Sequence, residues 1–487
     1  MSSSSPSPQT TLNDDKGLSD KENGYGNQSE VTLGPSEDPK QMPSSRKWLA
    51  VLVISSAATC VTCASSIAAF AEAGEAQDFH VSREVTILGI SLFVAGLGCG
   101  PLLLGPLSEF YGRNPVYWTS YSLFWAFSWP VAFAPNIVVY LIFRFLCGFS
   151  GSAFLSVAGG SVSDMFSNAT VANPMAVYTL SPFIGPVLGP LISGFINQHI
   201  SWRWTYRVQL IWVFFELIAL ILFVPETYGP ILIQRKTARL RRSKGQFDPE
   251  DADGSNRKSL LNAIVISCYK PFQLLIYDRM ALFLDLWNAL LLGILYLAFQ
   301  AFPVIFEEGH GFNEQSTGLT FLGIGLGMVL ALSTQPFWNK LYARETAKHG
   351  GNPPPEMRLI MGMPGGILVS IGLFWIAFTT YPHVHWIWPI IASIPFGTGI
   401  AFVFTSTFTY LVTAYRPIAA SAMASNSALR SAFAAGFPLF APAMYRRLGT
   451  VGATALLGGL TTLMAPLPFI FHRFGPQIRA KSRFAVS

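Results

Sequence analysis

Long apolar runs separated by short polar gaps recur along the chain from about residue 48 to residue 471. A hydrocarbon core about 30 Å thick needs about 20 apolar residues in a helix. Twelve runs approach or exceed that length: 48–71, 85–107, 116–134, 137–163, 172–196, 204–224, 280–304, 316–337, 359–380, 386–414, 418–444 and 450–471. The pattern predicts an all-α membrane protein with twelve transmembrane helices. Residues 1–45 break it, being rich in Ser, Pro, Asp, Glu and Lys with no apolar stretch, so they are expected to form a disordered cytoplasmic tail. They also lack the apolar core of a signal peptide.

Composition agrees, with 51% hydrophobic and 12% charged residues against about 25% charge in soluble domains. Charge placement then sets the topology. Arg46 and Lys47 precede the first run, and segment 225–273 carries a cluster including Arg235, Lys236, Arg239, Arg241 and Arg242. Positive residues stay on the cytoplasmic side, which puts both termini and this linker there. Loops 72–84 and 307–314 are mostly acidic and read as exterior, while Arg446 and Arg447 run against the rule. The five Cys are an odd number and imply no disulfide framework, and the Cys60/Cys63 pair reads as small-residue packing.

The linker splits the runs six and six, and the halves echo each other. "FYGR" (110–113) recurs as "LYAR" (341–344), and "ETYGPILIQRKTARLRR" (226–242) recurs as "HRFGPQIRAKSRF" (472–484). These echoes predict two pseudo-symmetric six-helix halves, 46–224 and 274–472, joined by the basic linker 225–273 and followed by a cytoplasmic tail, 473–487. Parallel duplication of this kind is typical of secondary transporters that bind substrate between the halves.

The gap "GPLSEFYGRNP" (105–115) sets Glu109 four residues before Arg113. An acid there can serve the positive end of a helix, worth about 0.3 to 1 kcal/mol. Asp164 should reach the same cytoplasmic level, so Glu109, Arg113 and Asp164 are candidates for a cytoplasmic gate. "GPLSEFYGR" resembles the Gly-x-x-x-Asp-x-x-Gly-Arg loop of the major facilitator superfamily, with Glu109 at the acid position. "FRFLCG" (143–148) is similar to its fourth-helix Arg-x-x-x-Gly motif, and "SPFIGPVLGPLISG" (181–194) resembles its antiporter motif, with Ser193 in place of a usual Gly. "WRWTYRV" (202–208), "PETY" (225–228), "PEMRL" (355–359) and "LRSAFAAGFPLFAP" (429–442) look like the fungal twelve-span drug:proton antiporters. The resemblance implies a proton-coupled antiporter and gives Gly185, Pro186, Gly189, Pro190 and Gly194 to the antiporter-motif helix.

Pro186 and Pro190 remove helix donors, and Gly185, Gly189 and Gly194 let another backbone approach. Glycines also line span eight (Gly323, Gly325, Gly327) and span two (Gly96, Gly100), and these two seams are expected to face each other across the halves. Charges in the bilayer are costly and mark function. Arg144 is expected in the outer third of span four, Glu216 and Asp285 in the inner thirds of spans six and seven, and Arg430 near the midplane with no acid on its own helix face. Asp285, Asn288, Leu292 and Tyr296 share one stripe of span seven. Thr405 and Thr409 on span ten, beside Phe404 and Phe408, and Asn426 on span eleven complete the expected substrate and proton pathway.

These readings converge on a proton-coupled, alternating-access exporter of a small amphipathic organic molecule, xenobiotic or endogenous secondary metabolite. An importer or facilitator of a polar nutrient and a multipass receptor without flux are the alternatives. There is no GxxxxGK[ST] loop and no nucleophile or metal cluster, so neither an ATP-driven pump nor an enzyme is expected. His383 and His385, beside Trp386 and Trp388, read as an interfacial belt. The expected partners are substrate, protons and lipid, with no cofactor, metal or nucleic acid. A monomer is expected, in the plasma membrane or in a vacuolar or other organelle membrane.

Overall fold

The computed structural model describes residues 34, 37–167, 170–243, 250–350, 353–480 and 482–485, and every regular element among them is helical. The expected disordered tail lies outside the described residues up to position 33. Residues 37–45 depart from that expectation. Asp38 caps a 3-10 turn, Pro39–Gln41, and α1 (Ser44–Ser66) already begins before Lys47.

A 3-10 turn, Ile67–Phe70, then leads into α2 (Glu72–Phe79), which ends on His80 in the left-handed region at φ 54°. The chain bends by 120° there into α3 (Arg83–Cys99). The acidic stretch at 72–84 is therefore not an open loop. It is a helix whose Glu72 and Glu75 are buried, because an Ala- and Gly-rich turn fits tightly among its neighbours.

Gly100 and Pro101 separate α3 from α4 (Pro101–Tyr111), and Gly112 at φ 99° turns the chain into α5 (Arg113–Ala132). Helices α6 (Ile137–Gly151), α7 (Ala153–Ser156) and α8 (Ala158–Met165) follow as one rod. Helix α9 (Ala172–His199) runs through Pro182, Pro186 and Pro190. Pro182 cannot bond to the Tyr178 carbonyl, and the Ser181 hydroxyl donates to it instead at 2.8 Å. After α10 (Arg203–Phe223), the linker forms α11 (Gly229–Ser243) and α12 (Glu250–Tyr277).

Helix α13 (Arg279–Phe302) continues as a π-helical stretch, Pro303–Glu308. Helices α14 (Glu314–Thr320), α15 (Leu322–Ser333) and α16 (Gln335–Lys348) form the next rod. They are followed by α17 (Gly362–Thr379), α18 (Ile387–Ala414), α19 (Ala419–Met464) and α20 (Leu467–Arg479). Helix α19 is interrupted by Gly449 at φ 68° and ψ 171°. By length and composition, nine helical runs among the described residues suffice to cross a membrane, or ten with the bent pair α2 and α3.

Glycine decides which helices touch. A Cβ on Gly148 of α6 would lie 1.9 Å from the Phe93 carbonyl oxygen of α3, and one on Gly96 would lie 2.3 Å from the Phe145 carbonyl oxygen. In α15, Gly323 and Gly327 approach the Ile390 and Ile394 carbonyls of α18 in the same way. The two glycine seams therefore do not face each other as the sequence suggested. Each binds a helix closer in sequence, while Gly325 meets Val187 of α9 and Gly98 meets Ser431 of α19. The seams were aligned by composition alone, which carries no information on azimuth.

Replacing Gly148 with Leu should lower the thermal unfolding midpoint in detergent and the folded yield, since overpacking a backbone contact costs about 1 to 3 kcal/mol or more. Gly459→Ala, with no heavy atom within 4 Å of the added Cβ, should leave the midpoint unchanged or raise it through about 1 kcal/mol of helix propensity. Equal shifts in the two variants would contradict this packing.

Candidate functional site

Asp285 is fully buried on α13 and faces α19. Its Oδ2 accepts from the Ser425 hydroxyl at 2.8 Å and its Oδ1 from the Asn426 amide at 2.9 Å. The same Ser425 oxygen lies 2.8 Å from the Ala422 carbonyl oxygen. No cation among the described residues forms an ion pair with Asp285. One turn further along α13, Asn288 is buried with neither end of its amide hydrogen-bonded.

Arg430 stands a turn beyond Asn426, with its guanidinium 5.7 Å from the centre of the Phe404 ring and 5.2 Å from that of Phe408. Its Nε is buried without a partner, and no carboxylate among the described residues pairs with it. Tyr296 closes the stripe by sharing a 2.7 Å hydrogen bond with Ser65 of the chain's first long helix. The structure thus gathers Asp285, Asn288, Tyr296, Asn426 and Arg430 along the α13 and α19 pair.

Thr405 and Thr409 point elsewhere. They line a separate recess with Gln335, Trp338, Asn339, Tyr342 and Arg358. Neighbouring residues on a helix differ in direction by about 100°, so Phe404 and Phe408 can face Arg430 while the threonines do not.

Arg144 and Glu216 do not pair. The Arg144 guanidinium donates to the carbonyls of Gly89 (3.0 Å), Ala64 (2.8 Å) and Ser65 (3.3 Å) and lies over the Phe93 ring. Glu216 instead accepts from the Ser56 hydroxyl at 3.0 Å. Close to Arg144 is a polar network that sequence reasoning missed. Tyr206 donates to Glu75 at 2.5 Å and shares a 2.7 Å bond with Tyr140, while the second oxygen of Glu75 is buried without a partner. Glu72 accepts from Gln300 of α13 at 2.6 Å and pairs with Arg83 at 3.4 Å. The available signal was the i, i+3 spacing of Glu72 and Glu75 among alanines, which places both on one helix face.

In the turn before α5, Arg113 pairs with Asp164 at 3.3 Å, donates to Ser108 at 2.7 Å and lies over the Tyr228 ring. Glu109 is exposed and bonds to neither Arg113 nor Asp164. The acid at the start of α5 is Glu226 of "PETY". Its carboxylate accepts from the backbone N–H groups of Arg113 (2.9 Å), Asn114 (3.3 Å), Thr227 (3.0 Å) and Tyr228 (3.0 Å). A Cβ at position 112 would lie 2.2 Å from this carboxylate, so glycine is required there for space as well as for φ. Arg113 therefore fastens α4, α5, α8 and the segment after α10 to one another.

Of the antiporter-motif residues, Gly185 and Gly189 abut α1, where an added Cβ would lie 2.0 Å from the Thr62 and Ser66 hydroxyls. Gly194 abuts α14, where an added Cβ would lie 2.6 Å from the Glu314 carbonyl oxygen. Pro186 and Pro190 lie inside the same continuous helix.

Glu226→Ala should destabilise the folded protein by about 1 to 3 kcal/mol, because it orphans several backbone donors at once. Glu109→Ala should change stability by less than about 0.5 kcal/mol, as exposed positions usually do. Thermal unfolding of the two purified variants side by side measures the difference, and a larger loss at Glu109 would contradict the assignment.

The profile of the Major Facilitator Superfamily matches residues 52–438. The efflux pump atB of Aspergillus terreus is 45% identical over 453 residues, covering 92% of this chain and 87% of that protein. A probable drug/proton antiporter of Saccharomyces cerevisiae, YHK8, is 40% identical over 474 residues, covering 96% of this chain and 92% of its own length. Among solved structures, a partially occluded inward open conformation of the xylose transporter XylE from E. coli aligns with a TM-score of 0.61 at 14% identity. That alignment covers 88% of this chain and 98% of that one. With its helical fold, its glycine-packed rods and its buried polar residues, this chain belongs to the major facilitator superfamily, among relatives that include fungal efflux pumps and drug/proton antiporters.

Proposed function

We propose that the chain is a proton-coupled, alternating-access exporter of a small amphipathic organic molecule, with Asp285 as the proton carrier. The observation that carries this reading is the geometry around Ser425. Its single hydroxyl hydrogen has two acceptors at 2.8 Å, Asp285 Oδ2 and the Ala422 carbonyl. When Asp285 is ionised, the hydrogen points to the carboxylate. When Oδ2 takes a proton, the acid donates to Ser425 Oγ, and the serine hydrogen turns to Ala422. Both states keep their hydrogen bonds, as a buried site that loads and releases protons requires.

The proposed architecture has twelve spans in two six-helix halves. Helices α3 and α4 count as one span, and Gly449 divides α19 between the eleventh and twelfth. The positive-inside rule places the termini and linker in the cytoplasm, and the membrane is proposed to be the plasma membrane. On this orientation, contacts between the halves gather on the outer side. They include Glu72 with Gln300 (2.6 Å), Ser65 with Tyr296 (2.7 Å), Gly194 with Glu314 and Arg446 with Glu84 (3.6 Å). Those contacts support an inward-facing state. Secondary coupling is sufficient for export. About 100 mV supplies about 2.3 kcal/mol per charge and one pH unit about 1.36 kcal/mol. One proton then sustains roughly a 500-fold gradient.

In proteoliposomes, a protonophore should abolish uphill transport while ATP has no effect. Asp285→Asn should flatten the pH dependence of transport and leave binding of a neutral substrate largely intact. Ser425→Ala, which leaves the carboxyl with Asn426 alone, should shift that profile without erasing it. An unchanged profile in Asp285→Asn, with transport lost in Glu216→Gln, would move the proton path to the amino-terminal half.

A further inference from the structure

The recess that holds Thr405 and Thr409 lies between α16, the 3-10 turn Pro355–Leu359 and α18. The space that water-sized atoms can enter is about 60 Å³, below the roughly 300 to 1,000 Å³ of enclosed small-molecule pockets, so the recess is shallow and open and would contact one face or edge of a ligand. Its chemistry is that of a binding site. The Arg358 guanidinium lies 3.6 Å from the centre of the Tyr342 ring, and its Nε is buried with no hydrogen-bond partner.

The nearby acids are engaged by other cations, Glu356 through one oxygen only. Glu345, which lines the recess, is held by Lys348 at 2.6 Å, and Glu356, two residues before Arg358, is held by Arg479 at 3.1 Å. Arg358 therefore pairs with no carboxylate among the described residues. Trp338 forms an aromatic wall, its ring packed edge-on against Phe402 at 5.6 Å. Thr409 donates to the Thr405 carbonyl at 2.8 Å, which leaves its oxygen free to accept. Lys340 and Arg344 are exposed on α16, the helix that carries Trp338 and Tyr342, and add positive charge to it.

We propose that this recess binds a planar aromatic carboxylate, with the carboxylate on Arg358 and the ring against Tyr342 and Trp338. A guanidinium offers paired N–H donors that match a carboxylate in one plane, and aromatic walls favour a flat ring over an alkyl chain. Helix α18 is a shared wall, since Phe404 and Phe408 beside the two threonines lie near Arg430. A ligand held here is therefore one helix away from the buried Asp285 and Arg430 centre. Its role as a loading site rests on the exporter reading, whereas its binding does not.

The test is photolabelling of the full-length protein in nanodiscs with benzophenone-4-carboxylate, followed by peptide mapping. Adducts should fall in 335–345 and 355–361, and excess 2-naphthoate should displace them. The neutral benzophenone-4-carboxamide should label these peptides about tenfold less, the ratio expected for about 1.4 kcal/mol. Arg358→Gln should remove the preference for acid over amide, and Arg358→Lys should keep part of it.

Equal labelling by acid and amide, adducts confined to other peptides, no adducts at all, or an undiminished preference in Arg358→Gln would each overturn the proposal. If Arg358→Gln fails to fold, the acid-to-amide ratio and the map in the wild-type protein still decide. Acid-selective labelling here together with protonophore-insensitive flux would sink the exporter reading and leave the recess standing. Proton-driven flux without such labelling would do the reverse.

Discussion

The amino-terminal helices depend on one buried charge. Arg144 is 2% exposed, and a guanidinium in that position is tolerated only if its donors are satisfied. Its partners include two carbonyls from the end of α1, Ala64 and Ser65, where the helix dipole is negative and no intrahelical donor is obliged to follow. The third is Gly89 of α3. By supplying donors to the end of α1, Arg144 permits the change to a 3-10 turn and the sharp bend after α2. Between that turn and the bend, α2 buries Glu72 and Glu75. The Tyr140, Tyr206 and Gln300 contacts of those acids then tie α6, α10 and α13 to the bend, so a single arginine organises both a helix break and the polar cluster beyond it.

A different solution appears twice at the opposite end. Glu226, following α10, reaches back to the first residues of α5 and lies 3.9 Å from Arg235. Near the carboxyl terminus, Glu356 sits before α17 and is held at 3.1 Å by Arg479, the last residue of α20. The repeated Gly-Pro stretches therefore both supply a fastening between a helix start and the segment after a later span, but by different bonds. In the first the acid comes from the late segment, and in the second the base does. The first tie is a carboxylate on the backbone N–H groups of α5, whereas the second is an ion pair between side chains.

The sequence made the rods legible because twenty apolar residues in a row have few other fates. Helices α6, α10 and α18 begin within one residue of the expected spans. Azimuth was harder to read. Depth singles out Asp285 and Arg430, and helical spacing gives the stripe containing Asn288 and Tyr296, yet Thr405 and Thr409 turn to another recess because spacing does not say which helix each face contacts. Glu109 was chosen by proximity along the chain, whereas the acid that caps α5 is Glu226, more than a hundred positions away. Long-range choices of this kind are made by packing, and Gly112 leaves the space for that carboxylate. The helix at 72–79 was hidden for a related reason, since acidic residues between apolar runs look the same whether water or a tyrosine hydroxyl receives them.

The Asp285 and Arg430 pair links the proposed proton site to the membrane potential. They form no ion pair, yet both lie in an apolar surround where fields reach further than in water. With Asp285 ionised, the centre carries one charge of each sign and no net charge. With Asp285 protonated, Arg430 is uncompensated and the centre is positive. An inside-negative potential does work only on the state that bears net charge. On the proposed reading, export of a neutral molecule from the deprotonated carrier is then electrically silent, and the return of the protonated carrier toward the cytoplasm is the step that the potential drives. Keeping Arg430 clear of a direct carboxylate partner is what separates the two strokes, because a tight salt bridge would lock Asp285 in its ionised form and remove the charge difference on which the potential acts.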